Sequence, residues 1–179
     1  MNNNLIILGA GQYGMVVKEI AEAMGCFDKI DFLDDNNGIA IGKFDDYKKF
    51  AADYTKAAVA VGNPEVRRER IEILNAAGFD VVALIHPKSC VSPSAEISKG
   101  CIIEPFAVIQ TFAKLGTGVI ICAGSVVGHN SYVEDVCQLD IGSTVKPNSV
   151  LRKGTKLEAG CVFGGLNKIG NNYYFEAGM

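Results

Sequence analysis

The sequence predicts an α/β Rossmann-like domain over residues 1–84, followed over residues 85–179 by a parallel β-helix built from hexapeptide repeats. Two observations predict this architecture. A glycine-rich motif in the first half stands between an apolar segment and a helical stretch, and in the second half an apolar residue recurs at every sixth position. The apolar content of 49% is sufficient for a core in each domain.

The glycine-rich motif predicts a nucleotide site. An apolar strand is expected at residues 5–8, the motif Gly9-Ala10-Gly11-Gln12-Tyr13-Gly14 follows it, and a helix is expected at residues 15–24. The glycines of a GxGxxG motif let a phosphate approach the backbone, and the helix N-terminus supplies N–H donors and positive potential. The alternative is a tight strand-to-helix turn that binds no ligand.

The remainder of the first domain favours a nucleotide sugar as the ligand. A second strand ends in Phe32-Leu33-Asp34-Asp35, where an acid can accept hydrogen bonds from ribose or base. Further strands are expected at residues 57–61 and 81–85, with a helix at residues 64–77 between them. About four strands make up only one mononucleotide-binding half, so the domain is too small for NAD and an NAD-dependent oxidoreductase is disfavoured.

The second half repeats with a period of six residues. Its apolar members are Val91, Ile97, Ile103, Ile109, Leu115, Ile121, Val127, Val133, Leu139, Val145, Leu151, Leu157, Phe163, Ile169 and Phe175. A small residue stands four positions after most of them, namely Ala95, Cys101, Ala107, Ala113, Val119, Ser125, Ser131, Cys137, Ser143, Ser149, Thr155 and Cys161. The uninterrupted series predicts that the apolar members point inward and that the small residues pack tightly beside them.

The residues between the apolar members are typical of turns. The third place of a hexad holds Pro93, Pro105 and Pro147, and the fourth place holds Gly100, Gly118, Gly124, Gly142, Gly154, Gly160, Gly178, Asn130, Asn148 and Asn172. Proline followed by a residue that tolerates positive φ favours a type II turn. Each hexad is therefore expected to form a short strand and a corner, and three hexads to form one triangular coil. About five stacked coils give a prism roughly 24 Å long.

Charge and composition exclude several classes of partner. The net charge of −3 makes a nucleic-acid partner improbable. No apolar run is long enough for a membrane span, and no cationic start precedes an apolar signal core, so a cytoplasmic protein is expected. The six cysteines include no CxxC pair, and both histidines lie far from any metal-like cysteine spacing. We therefore expect no metal site, and cysteines that serve as small packing residues.

Several segments together resemble the PglD/NeuD-type sugar-nucleotide acetyltransferases. They are the glycine motif at residues 9–14, FLDD at residues 32–35, AVGNPEVR at residues 60–67, LIHPKSCVSPSAEI at residues 84–97 and VGHNSY at residues 127–132. The resemblance covers nearly the whole chain. It implies a left-handed β-helix, an N-terminal domain that holds a UDP-amino-sugar, and acetyl-CoA bound between neighbouring subunits of a homotrimer.

The resemblance also implies roles for individual residues. The contacts to the nucleotide sugar fall on Gly11, Gln12, Tyr13, Asp34, Asp35, Gly62 and Asn63, and the acetyl-CoA contacts fall on Gln138, Ala159 and Ala177. The general base falls on His129, with Asn130 beside it. The hexad frame supports His129 independently, because the third place lies at a corner and a corner side chain points away from the core. The alternative is an ordinary surface histidine, whereas His86 at the domain junction is expected to be structural.

The sequence departs from the family at several of these places. Asn130 stands where the family has Asp or Glu, Gln138 stands for a second histidine, Tyr13 replaces the histidine of the glycine loop, and Pro147 replaces a corner glycine. Two functions therefore stay open. One is an N-acetyltransferase acting on a UDP-linked amino sugar. The other is a catalytically weak or inactive relative with the same scaffold, which serves as a sugar-nucleotide-binding or regulatory protein.

Overall fold

A computed structural model describes residues 3–164 of the chain. The described residues form two compact units, which divide between Pro87 and Lys88. Ala177 and the last two apolar members of the repeat, Ile169 and Phe175, lie outside the described residues. Among the residues that are described, no helix is both long and apolar enough to cross a membrane.

The first unit is built on a four-stranded parallel sheet. Its elements are β1 (Leu5–Leu8), α1 (Gln12–Met24), β2 (Ile30–Leu33), a 3₁₀ turn (Phe44–Asp46), α2 (Tyr47–Phe50), β3 (Lys56–Val59), α3 (Pro64–Ala76), β4 (Asp80–Val81) and β5 (Leu84–Ile85). The sheet order is β2-β1-β3-β4, and every neighbouring pair is parallel. This is the expected mononucleotide-binding half of a Rossmann-like fold.

Two expected boundaries in this unit were wrong. Helix α1 begins at Gln12 and not at residue 15, because the backbone of Gly11 already acts as its N-cap and the second half of the glycine motif is helical. The strand expected at residues 81–85 is split into β4 and β5, and only β4 joins the sheet. The N–H of Val82 donates to the carbonyl of Ala57 at 3.0 Å, after which the chain leaves the sheet.

The core of the first unit lies between the sheet and its helices. One cluster of this core contains Ile6, Leu8, Leu33, Tyr54, Ala57, Val59, Ile71, Leu74, Phe79 and Val81. Helix α1 buries Gly14, Val17, Ile20 and Ala21, which are three or four residues apart and therefore share one face. Helix α3 buries Ile71 and Leu74. The packing of α1 and α3 fixes the loops at the carboxyl ends of the strands.

The second unit is a three-faced parallel β-helix of two-residue strands. They are β6 (Cys90–Val91), β7 (Glu96–Ile97), β8 (Ile102–Ile103), β9 (Val108–Ile109), β10 (Lys114–Leu115), β11 (Ile120–Ile121), β12 (Val126–Val127), β13 (Tyr132–Val133), β14 (Gln138–Leu139), β15 (Thr144–Val145), β16 (Val150–Leu151), β17 (Lys156–Leu157) and β18 (Val162–Phe163). One face carries β6-β9-β12-β15-β18, the next β7-β10-β13-β16, and the third β8-β11-β14-β17.

The strand register confirms the coil length of 18 residues. Val127 pairs with Ile109 in the coil before it and with Val145 in the coil after it. From Ile103 to Leu157 every apolar member of the series is buried, as the hexad pattern predicts. The interior of the prism is therefore a continuous stack of aliphatic side chains.

The small residues do more than pack. The Oγ of Ser125 donates to the carbonyl of Asp140, and the Oγ of Ser131 donates to the carbonyl of Lys146, each at 2.8 Å. The thiols of Cys101 and Cys137 donate to carbonyls 15 residues further on. These donors bond to corner carbonyls of the next coil. Burial raises the pKa of the Cys101 thiol to about 12, so this cysteine is an inert packing residue, as expected.

The fourth place of the hexad has positive φ throughout most of the prism. The expected residues that the structure describes adopt it, namely Gly100, Gly118, Gly124, Gly142, Gly154, Gly160, Asn130 and Asn148, whereas Asn172 and Gly178 lie outside the described residues. Three bulky residues that were not expected to adopt it also do so: Phe106 with φ 63°, Phe112 with φ 58° and Val136 with φ 52°. The corner geometry therefore follows from the position in the coil, even where the residue type opposes it.

Candidate active site

The first candidate site lies at the carboxyl ends of β1, β2 and β3. The chain leaves β1 for β2 on one side of the sheet and returns to β3 on the other, so the strand order reverses at β1. Open α/β sheets bind ligands in the crevice at such a point. The glycine motif follows β1, Asp34 and Asp35 follow β2, and Gly62 and Asn63 follow β3. The structure thus brings all the predicted nucleotide-sugar residues to one edge.

The glycines of this edge fall into two groups. A Cβ on Gly14 would overlap the carbonyl of Gly9, and Gly9 itself has φ 107° and lies against the carbonyl of Ala60. These two positions require glycine for the turn and for helix packing. A Cβ on Gly11 or Gly62 would meet no atom within 4 Å. Packing within this chain therefore gives no reason for these two glycines, and they leave open space beside the N-terminus of α1.

Asp34 holds the glycine loop. Its Oδ2 accepts the N–H of Ala10 at 2.7 Å, and its Oδ1 accepts the N–H of Asn36 at 2.8 Å. The backbone N–H of Ala10, followed by that of Asn36, lowers the pKa of the Asp34 carboxyl below its usual value, so the group is a carboxylate at neutral pH. Asp35 uses Oδ1 to accept the N–H of Phe44 at 3.1 Å and is exposed.

A buried arginine, which the sequence analysis missed, supports the loop after β3. Arg67 is 0% exposed, and its guanidinium donates to the carbonyls of Val61 and Gly62, both at 2.8 Å. Asn63 caps α3, because its Oδ1 accepts the N–H of Val66 at 3.0 Å. The loop at Gly62 is therefore fixed from both sides. In the glycine motif Gln12 is exposed and Tyr13 is half-buried.

The second candidate site is the corner that carries His129, between β12 and β13. The side chain is exposed, as the hexad frame predicts, and it lines an open groove of about 550 Å³. The other lining residues are Cys90, Ser92, Val108, Ile109, Gln110, Thr111, Phe112 and Asn130. All of them belong to the β-helix unit. Val108 and Ile109 supply an aliphatic wall, and the other side chains include polar groups around the imidazole.

Two amides fix the position of His129. The Oε1 of Gln110 accepts the backbone N–H of His129 at 3.0 Å. The side-chain amide of Asn130 lies 2.8 Å from Nδ1 of the imidazole, through its Nδ2. In this orientation the amide N–H of Asn130 donates to Nδ1, and the proton of the neutral imidazole is on Nε2. With the carboxamide turned over, Oδ1 accepts a proton held on Nδ1, and Nε2 carries the free lone pair.

Pro147 stacks directly on the corner of His129, as expected from the 18-residue coil. The N–H of Asn148 donates to the carbonyl of His129 at 3.0 Å, and a Cβ on Gly128 would lie 2.5 Å from the nitrogen of Pro147. Gly128 is therefore required for the two coils to approach. Proline has no N–H, so this position offers no backbone donor to a ligand.

Two of the residues predicted for acetyl-CoA, Gln138 and Ala159, lie away from His129 on this chain. Gln138 is half-buried in β14, on a different face of the prism, and Ala159 is exposed at the corner after β17. Ala177 lies outside the described residues. Within residues 3–164, no group of three or more His, Cys, Asp or Glu side chains could hold a metal ion.

Comparison with protein families gives two adjoining matches. Residues 4–84 match the family model of the PglD N-terminal domain, and residues 83–129 match that of the bacterial transferase hexapeptide with six repeats. The UDP-N-acetylbacillosamine N-acetyltransferase of Bacillus subtilis (strain 168) is 31% identical over 113 residues, which cover 56% of this chain. The chain spans 50% of the length of that relative.

Solved structures match over most of the chain. The acetyltransferase domain of PglB from Neisseria gonorrhoeae FA1090, in complex with acetyl coenzyme A, is 31% identical with a TM-score of 0.75. The match covers 90% of this chain and 88% of that domain. A variant of the GDP-perosamine N-acetyl transferase from Caulobacter crescentus, in complex with CoA and GDP-perosamine, has the same TM-score and coverage at 23% identity, which supports the fold alone.

Proposed function

The chain belongs to the PglD-type family of hexapeptide-repeat sugar-nucleotide N-acetyltransferases, with a Rossmann-like domain and a left-handed parallel β-helix, and from this we propose that it acetylates an amino sugar. The acetyl donor is acetyl-CoA, the acceptor is the amine of a UDP-linked amino sugar, and His129 is the general base. The observation that carries the proposal is the exposed imidazole in the groove, fixed by Gln110 and Asn130. We further propose a cytoplasmic homotrimer.

The groove fits an acyl-transfer reaction. Its volume of about 550 Å³ lies within the range of small-molecule sites, and it presents both aliphatic and polar side chains. Acetyl-CoA supplies an activated acetyl thioester. The residues of this chain orient the acceptor and move its proton: Nε2 of His129 takes a proton from the sugar nitrogen as the nitrogen–carbon bond forms. The imidazolium then returns this proton to the leaving thiolate.

For this role, the carboxamide of Asn130 must be turned over from the orientation in which Nδ2 lies beside Nδ1, so that it presents Oδ1 to the imidazole. Nδ1 then keeps its proton and donates it to Asn130, so the lone pair of Nε2 faces the groove. If the carboxamide instead presents Nδ2, the imidazole proton stays on Nε2, and His129 has no lone pair in the groove to accept a proton. Asn130 is thus a positioning residue in the proposal, because it selects the tautomer of His129 without touching the reacting atoms.

The N-terminal edge is proposed to hold the nucleotide part of the substrate. The residues assigned to it are Gly11, Gln12, Tyr13, Asp34, Asp35, Gly62 and Asn63. The open space at Gly11 beside the α1 N-terminus suits a diphosphate. Asp34 acts by shaping the glycine loop, since both of its oxygens accept backbone N–H groups, and Asp35 is left to meet ribose or base.

The proposal is tested by release of free CoA thiol from acetyl-CoA in the presence of a UDP-4-amino sugar. We expect turnover that requires both substrates, and an acetylated sugar nucleotide as the product in mass spectrometry. A chain that binds the UDP-amino sugar in calorimetry but releases no thiol is the second candidate, a sugar-nucleotide-binding protein. The structural observation that favours this candidate is Pro147, which places no N–H beside His129 for the thioester oxygen.

Asn130→Asp is expected to raise turnover several-fold. A carboxylate can accept a hydrogen bond from Nδ1 but cannot donate one, so it enforces the tautomer in which Nε2 has a free lone pair. Its negative charge also stabilises the imidazolium formed by proton transfer. Aspartate tolerates the φ of 56° at this corner, as asparagine does. The gain is limited because Pro147 is unchanged. The measurement is kcat from thiol release, with Asn148→Asp as the control at the equivalent corner of the next coil. An equal gain in both variants would contradict the assigned role of Asn130.

A further inference from the structure

Phe112 occupies a backbone conformation that its side chain disfavours. Its φ is 58°, in the left-handed region that most of the corner positions fill with glycine or asparagine. A Cβ in this region crowds the neighbouring carbonyl oxygen, so phenylalanine is strained there. The strain persists in the fold only because the coil geometry imposes the corner.

Burial does not compensate for this strain at Phe112. Val136 has a similar φ and is 3% exposed, so packing explains its side chain. Phe112 is 59% exposed, and Phe106, at φ 63°, is 65% exposed. A large apolar ring that is both strained and exposed contributes little to the stability of its own chain.

The two exposed phenylalanines differ in their surroundings. Phe112 lines the groove of His129, and the pairing of β10 with β13 places it one coil before Asn130 at the same corner. The Oγ of Ser94 accepts its backbone N–H at 3.2 Å, which fixes the corner from the coil before. Phe106 stands at another corner, where the carbonyl of Lys88 accepts its N–H, and it does not line this groove.

We propose that the ring of Phe112 is the platform on which the amino sugar of the nucleotide sugar packs in the groove of His129. A pyranose ring presents C–H bonds on its faces, and an aromatic ring is a flat apolar partner for them. A ring one coil from the base would orient the amine towards Nε2. Phe112 is then a specificity-determining residue, and this role rests on the proposed acetyltransferase function.

The test compares Phe112→Gly with Phe106→Gly. Both substitutions remove an exposed ring and the same backbone strain, so we expect similar changes in Tm. Phe112→Gly alone is expected to raise KM for the UDP-amino sugar by roughly 3–10-fold, the range of one aromatic contact, with KM for acetyl-CoA unchanged. Phe112→Tyr keeps the ring and is expected to keep the wild-type KM.

Three outcomes would overturn the assignment. One is an unchanged KM for the sugar nucleotide in Phe112→Gly. Another is a rise confined to KM for acetyl-CoA, which would place the ring against the acyl donor. The third is a drop in sedimentation mass, which would make Phe112 a contact with a second copy of the chain. Calorimetry with the UDP-amino sugar separates this test from the proposed function, because the affinity is measurable even in a chain without turnover.

Discussion

His129→Gln is expected to lower kcat for thiol release by roughly 10²–10⁴-fold, the usual contribution of a positioned general base. The side chain is exposed and packs against no core, so the variant is expected to keep the wild-type Tm. Glutamine retains a polar side chain of similar length but offers no nitrogen that accepts a proton at neutral pH. KM for both substrates should change little, because the imidazole acts on the proton of the amine.

The matched control is His86→Gln, which changes the other histidine of the chain. It is expected to affect Tm and to leave kcat within about twofold of the wild type, since a role outside the groove carries no general-base contribution. Equal thiol release by wild type and His129→Gln would remove the catalytic interpretation. The sugar-nucleotide-binding protein would then take its place.

Arg67→Met is expected to lower the free energy of unfolding by about 2–4 kcal/mol, because it removes the charged donor of two loop carbonyl oxygens. The guanidinium is completely buried and bonds to Val61 and Gly62. Methionine fills a similar volume, so the loss reports on the hydrogen bonds more than on a cavity. Because the same loop borders the nucleotide edge, the affinity for a UDP-sugar should fall as well.

The control for this prediction is Arg68→Met on the same helix. The Arg68 side chain is 47% exposed and pairs with Glu72 at 3.6 Å, which is a surface ion pair worth less than about 1 kcal/mol. Urea unfolding measures the free energies, and calorimetry measures the UDP-sugar affinity. If Arg67→Met and Arg68→Met lose the same stability, the proposed support of the Gly62 loop is wrong.

The sequence predicted the β-helix in detail because its coil repeats the same physical demand every six residues. An inward position needs an aliphatic side chain, and a corner needs a residue that tolerates positive φ. Counting within the hexad placed His129 at an exposed corner and Pro147 directly above it, and the structure confirms both positions. Phe112 stands at the fourth place of its hexad, but its positive φ was not expected, because its residue type gives no sign of it.

The first domain was less predictable at its loops. Arg67 stands in a segment rich in charged residues, which resembles a solvated helix face. Its spacing could have revealed it, because Arg67, Ile71 and Leu74 are four and three residues apart and therefore share the buried face of α3. The engagement of Asp34 by two backbone N–H groups depends on the fold of the loop around it. No residue pattern in a single sequence encodes that.

The serine and cysteine donors inside the prism have a consequence for how it opens. Within the described part of the prism, successive coils are joined by strand pairing and by side-chain hydrogen bonds to corner carbonyls. Such a stack behaves as a one-dimensional chain of nearest neighbours, which frays from its ends. The coil of His129 has a neighbour on either side, between the pairing partners at Val108 and Thr144. Opening of one flanking coil therefore leaves the coil of the imidazole paired on its other side.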